Sequence, residues 1–177
     1  IVGIKVEEPG FIINTVMSKE DYRKFLYIAT FKRNKWTIPM IALIALLGSM
    51  MVSLGGPFNY LEFILYWILF FALAIIAVIL KIERKNAQRI KTDKTGSFGS
   101  VNTLKFYDDK IVIENEALKS KGELRYDQFF MVMESKDYFI FYLTANQASF
   151  IRKKDLENPD AFRKFIVGKF QGKYKNI

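Results

Sequence analysis

Apolar residues gather in two long blocks near the middle of the chain and in short runs elsewhere. Residues 36–54, WTIPMIALIALLGSMMVSL, carry no charge over nineteen positions. At about 1.5 Å per residue a helix of that length covers roughly 28 Å, close to the ~30 Å hydrocarbon layer of a bilayer. Pro39 lies in its first turn, where proline is tolerated. Residues 61–82, LEFILYWILFFALAIIAVILKI, are uncharged except for Glu62 and Lys81 at the ends. Both blocks predict transmembrane helices, because no other segment could cover two helices that are apolar all round. The six residues between them, GGPFNY, are rich in the residue types that allow a tight turn, so the helices form an antiparallel hairpin. Phe58, Tyr60 and Tyr66 suit a membrane interface, and Glu62 snorkels at the outer one. The run KIERKNAQRIK, residues 81–91, continues the second helix past the bilayer.

On either side of the hairpin the periodicity changes. FIINTV (11–16) reads as a strand. Ser18 then suits an N-cap, with Glu20 and Asp21 in the first turn, and Tyr22, Phe25, Leu26 and Ala29 make one apolar face of a helix leading into the membrane. After a flexible TGSFGS break, VNTLKFY and KIVIEN flank Asp108-Asp109 as a hairpin. GELRYD, QFFMVMES, YFIFYLT and ASFIRK follow as further short strands, which together predict an antiparallel sheet, curled or sandwiched. Asn158-Pro159-Asp160 signals a helix start, and Phe162, Phe165, Ile166 and Phe170 give that helix an apolar face. Strands that end in one amphipathic helix imply an α+β domain with the helix covering the sheet. The sequence leaves open whether strand 11–16 joins that sheet from the far side of the membrane hairpin. The run 138–143 is too short for a third span and is apolar on both faces. It predicts a central strand covered on one side by the terminal helix and on the other by opposing strands, the alternative being one face laid on the membrane or a partner.

Composition strengthens the membrane reading: 51% of the residues are hydrophobic and 16% aromatic. The absence of cysteine excludes disulfides and thiol nucleophiles. The absence of histidine removes the commonest general base and nearly all familiar zinc sites. The net charge of +9 is explained by basic residues flanking the two spans. Arg23, Lys24, Lys32, Arg33 and Lys35 precede the first, and Lys81, Arg84, Lys85, Arg89 and Lys91 follow the second, whereas the loop between has none. Both ends are therefore expected in the cytoplasm of a multi-pass cell-membrane protein. Lys32, Arg33, Lys35, Arg84, Lys85 and Arg89 become candidates for contact with anionic lipid headgroups, at about 1 kcal/mol each. No early apolar region before Trp36 resembles a signal peptide.

Few motifs carry chemistry. Lys94-Thr95-Gly96 matches a β-lactamase element but lacks its S-x-x-K partner. Gly96 and Gly99 lack the context of a phosphate loop. Asp108-Asp109 reads as a solvated turn. Arg152-Lys153-Lys154, at the end of a strand, is the best candidate binding cluster, set against bridging to Asp155 or Glu157. The aromatics do not interleave with basic positions, so no nucleic-acid partner is expected. No catalytic residue, metal ligand or cofactor site is expected.

The run RYDQFFMVMESKDYFIFYLTANQASFIRKKDL, with Tyr126-Asp127, Val132 and Glu134, Lys136 and Tyr138, and the closing Ala148 to Leu156, resembles the YcxB-like family of bacterial membrane proteins. The resemblance covers nearly the whole chain after residue 10. Arg152 departs from it, standing where the family more often has proline. The resemblance implies a fold similar to pleckstrin-homology domains, a bent antiparallel sheet capped by a C-terminal helix, in which basic residues can meet phosphorylated headgroups. It implies no enzymatic activity.

The expected organisation is an N-terminal strand and amphipathic helix (1–35), a two-helix transmembrane hairpin (36–82), a basic juxtamembrane helix and linker (83–100), and a cytoplasmic pleckstrin-homology-like domain (101–177). The expected role is a non-catalytic membrane-anchored binding or scaffold module. Its partners would be anionic lipid, another membrane protein or a second copy of itself. The alternative is a membrane immunity or stress-protection protein against a peptide toxin.

Overall fold

The computed structural model describes residues 8–177, which fold as two compact units: residues 8–18 with Asp93–Ile177, and Lys19–Thr92.

The first unit contains two four-stranded sheets and one helix. In the first sheet the order is β1 (Phe11–Val16), β2 (Val101–Phe106), β3 (Lys110–Asn115), β4 (Ser120–Arg125), all antiparallel. β1 pairs along its full length with β2, from Phe11 opposite Phe106 to Val16 opposite Val101. The N-terminal strand thus does close the sheet across the intervening hairpin. The second sheet runs β7 (Ala148–Arg152), β6 (Tyr138–Tyr142), β5 (Met131–Glu134), β8 (Tyr174–Asn176). Here β8 pairs parallel to β5, so this sheet is not wholly antiparallel. The three-residue strand after the terminal helix is too short and too polar, Tyr174-Lys175-Asn176, to leave a period-2 pattern in the sequence.

Helix α4 (Pro159–Lys169) starts where its signals stand. Asn158 Oδ1 accepts the Ala161 N–H at 3.0 Å, and Pro159 occupies the first turn. Its buried residues Phe162 and Ile166 join Phe106, Val132, Phe139, Phe141, Ile151 and Phe170 in a single core. The Phe162 ring meets Phe106 at 5.0 Å and Phe139 at 5.1 Å, both edge-on, the arrangement aromatic quadrupoles favour. β6 is interior to its sheet and buried along its whole length. Phe139 and Phe141 face α4, with Phe141 5.9 Å from Phe170, while Tyr138 packs edge-on against Phe150 of β7 at 5.2 Å.

The second unit is helical. α1 (Lys19–Tyr27) runs into a π-helical turn, Ile28–Lys32, followed by α2 (Thr37–Ser53) and α3 (Tyr60–Thr92). α3 is one continuous helix of 33 residues, about 50 Å long, so the basic segment does extend the second apolar block. Among the described residues it is the one helix both long and apolar enough to cross a membrane. α2 has 17 residues rather than the nineteen expected, because Trp36 caps its start and Leu54-Gly55 ends it. It reaches spanning length only if joined to the segment Lys19–Lys32, from which it is bent by 63°. α2 and α3 pack closely: Ala45 and Ser49 are buried, and the Trp67 indole N–H donates to the Ala42 carbonyl at 3.1 Å. A Cβ on Gly48 would stand 3.3 Å from the Phe70 ring. Small residues at such a seam are what lets two apolar helices approach. α1 is tied to α3 by Glu83, which accepts from Arg23 Nε at 2.8 Å and from the Tyr27 hydroxyl at 2.6 Å.

Candidate functional site

β5 carries a carboxylate into the interior. Its sequence, Met-Val-Met-Glu, ends at Glu134, which is 1% exposed. Isolated ionised groups are not stable in such a place, so the neighbours decide its state. Lys153, in the turn after β7, brings Nζ to 2.5 Å from Glu134 Oε1. Arg163, one turn into α4, donates from Nε to Oε1 and Oε2 at 2.9 and 2.8 Å and from Nη2 to Oε1 at 2.6 Å. The Tyr174 hydroxyl of β8 donates to Oε2. The backbone N–H of Ile177 donates to the Glu134 carbonyl at 2.9 Å.

Burial would push the Glu134 carboxyl up; hydrogen bonds from Arg163, Lys153 and Tyr174 outweigh it and hold its pKa down to about 2. Burial, and then the bond to Glu134, raise the Tyr174 phenol to about 12. The result is a carboxylate that stays ionised and has its acceptor sites filled. That is poor equipment for a general base, which needs a pKa near the working pH and a free lone pair. It is well suited to tying β5, the β7 end, α4 and β8 into one piece.

The expected binding cluster therefore divides. Arg152 grips Asp155 with Nε and Nη2 at 2.7 and 2.9 Å, and Asp155 also accepts from Thr15 Oγ1 at 2.6 Å. Lys153 is committed to Glu134 and sits 5.2 Å from the Phe139 ring centroid. Lys154 alone of the three is exposed. Adjacent residues in a tight turn point in different directions, which a charge run in the sequence does not reveal. In the helical unit Lys32, Lys35, Arg84 and Lys85 are exposed, while Arg33 and Arg89 are half-buried.

Glu134 and Arg163 were not singled out as a site by sequence reasoning. One signal was present: an acidic residue closing an otherwise apolar strand. Nothing local marks its partners, which lie 19, 29 and 40 residues away.

Residues 106–166 match the model of the YcxB-like protein family. No curated protein and no solved structure matches the chain. The YcxB-like segment runs from the end of β2 into α4, a narrower reach than the sequence resemblance suggested. It contains Glu134, Lys153 and Arg163, so three members of the buried cluster fall inside it and Tyr174 falls outside.

Proposed function

We propose that the chain is a membrane-anchored, non-catalytic binding module: a two-span hairpin carrying a pleckstrin-homology-like domain on the cytoplasmic side. One observation carries this reading, the opposite treatment of charge in the two units. Residues 19–92 hold eleven Lys and Arg against four Asp and Glu, and none of those basic residues lies between Trp36 and Leu80. The apolar surface of α3 between Phe63 and Leu80 stays largely exposed. An exposed apolar belt with cations at one end suits a bilayer with anionic headgroups.

In this reading α2 and α3 both cross, and the Gly55-Gly56-Pro57 turn emerges on the far side. Two sheets and a C-terminal helix, filled by aromatic residues, support the pleckstrin-homology-like assignment. Lys32, Lys35, Arg84 and Lys85 meet lipid phosphates, with Arg33 and Arg89 beside them. Lys154 is the remaining exposed cation of the strand-end cluster and the point offered to a partner.

Because the chain has no cysteine, topology can be tested with single substitutions and a membrane-impermeant maleimide. Asn59→Cys should label in intact cells, and Lys154→Cys only after permeabilisation. Labelling of both residues from the same side would overturn the two-span hairpin.

A further inference from the structure

Among the described residues the first sheet has one open edge. On its other side β1 is flanked by β7, and Thr15 is tied to Asp155. Among the described residues β4 has no neighbour beyond it, and Ser120, Lys121, Gly122, Glu123 and Arg125 are all exposed. An unpaired strand edge is a template for another strand.

The hydrogen-bond phase of this edge follows from the β2–β3 turn. Tyr107 N–H donates to the Lys110 carbonyl at 2.8 Å, which makes Lys110, Val112 and Glu114 the residues bonded to β2. The alternate residues Ile111, Ile113 and Asn115 then bond to β4, where they face Leu124, Gly122 and Ser120. Lys121, Glu123 and Arg125 are left with their backbone N–H and C=O groups directed off the sheet. Arg125 confirms the phase: its N–H donates at 2.8 Å to the side chain of Gln128, not to β3.

We infer that β4 pairs antiparallel with β4 of a second copy, about a twofold axis between the two Gly122 residues. In that register each Lys121 lies directly opposite the other chain's Glu123 as a hydrogen-bonded pair. Four backbone hydrogen bonds and two opposite-charge cross-strand pairs form together. Sliding one chain by two residues puts Glu123 opposite Glu123, or Lys121 opposite Lys121, and like charges directly opposed are destabilising. The charge pattern thus selects one register. Lys121 and Glu123 already touch Glu114 at 2.9 Å and Lys110 at 3.1 Å within the chain. Their side chains nevertheless keep 69% and 55% of their surface exposed, which leaves room for the second partner. At the axis Gly122 presents no side chain, and a Cβ added there meets nothing within 4 Å.

The test uses the full-length chain in membranes. Gly122→Cys should crosslink to a disulfide dimer under mild oxidation, since directly opposed residues of a non-hydrogen-bonded pair lie about 4.5 Å apart at Cα. Asn146→Cys, in an exposed turn, serves as the control. Adding Lys121→Glu to Gly122→Cys should slow crosslinking by at least about fivefold, and the further change Glu123→Lys should restore it. Equal crosslinking of Gly122→Cys and Asn146→Cys would overturn the pairing, as would failure of the charge swap to rescue. A crosslink to a different polypeptide in cells, in place of the dimer, would assign the edge to another strand and overturn it too.

Discussion

Leu69 on α3 and Phe162 on α4 are both large apolar side chains on helices, yet Leu69 keeps 50% of its surface exposed and Phe162 keeps none. The helical unit wears its apolar residues outside and carries its cations at the ends. The sheet unit turns its aromatics inward and pairs charges even at its centre, around Glu134. In the proposed membrane-anchored reading, the same residue types are sorted by the solvent each unit meets. In water, burial of an aromatic ring is the main driving force; between lipid tails that force vanishes and close packing at small residues takes over. The difference implies that truncating an apolar side chain has unequal consequences in the two units.

The sharpest test is Phe162→Ala. Removing a ring that touches Phe11, Phe106 and Phe139 should cost about 3–5 kcal/mol, read as a lowered denaturant midpoint of the full chain in nanodiscs. Leu69→Ala, on the exposed face of α3, should change the same midpoint little. Equal losses at the two sites would break the comparison, because they would place Leu69 in a core of its own.

Next is the charge at the centre of the sheet unit. Glu134→Ala leaves Lys153 and Arg163 facing each other without the carboxylate, and should cost roughly 3 kcal/mol, as loss of one member of a buried ion pair does. Lys153→Ala should cost less, because Arg163 and Tyr174 still serve the carboxylate. The pH dependence has a definite sign. Glu134 is held near 2 in the fold, below its ordinary value of 4.5. Its contribution is complete above pH 4.5 and is lost as the pH falls toward 2. Unfolding measured between pH 6 and pH 3 should therefore show a decline that Glu134→Gln makes shallower. An unchanged slope would remove Glu134 from the stabilising cluster.

The two units also differ in how far they can be read from sequence. The apolar blocks of α2 and α3 need only a window average, since every residue in a helix that is apolar all round contributes the same signal. β1 and α4 are legible because their alternation or three-four spacing is local and their punctuation is strong, as at Asn158-Pro159, and β6 because its apolar run is short and bounded by turns. β8 was missed because its three polar residues take their conformation from parallel pairing with β5, a contact made across 42 residues. The division of Arg152, Lys153 and Lys154 was equally hidden. It depends on where Asp155 and Glu134 stand in space, and a run of like charges looks the same whether it is solvated or spent internally.

If the helical unit lies in lipid as proposed, packing takes the place of burial from water, so a smaller effect is expected from making a small residue large. Gly48→Leu drives a side chain into the Phe70 ring, already 3.3 Å from where a Cβ would stand. Overpacking of this kind should cost about 1–3 kcal/mol. The Trp67 hydrogen bond to Ala42 lies at the same seam, so a shift in tryptophan emission reports the opening. Gly56→Ala, where an added Cβ meets nothing within 4 Å, should leave the emission unchanged. A Gly48→Leu protein with native emission and stability would show that the helices do not depend on this contact.

The smallest effect should come from Lys154→Ala. Lys154 neighbours Lys153 in the chain but is exposed, and an exposed side chain outside a packed network typically changes stability by less than about 0.5 kcal/mol. Its unfolding midpoint should therefore coincide with that of the unsubstituted chain, while Lys153→Ala falls below it. The informative measurement is then recognition, not stability. If Lys154 is the cation offered to a cytoplasmic partner, Lys154→Ala should reduce crosslinking to that partner in intact cells with the fold intact. Loss of crosslinking only in Lys153→Ala, in step with its loss of stability, would mean that the cluster serves the fold alone.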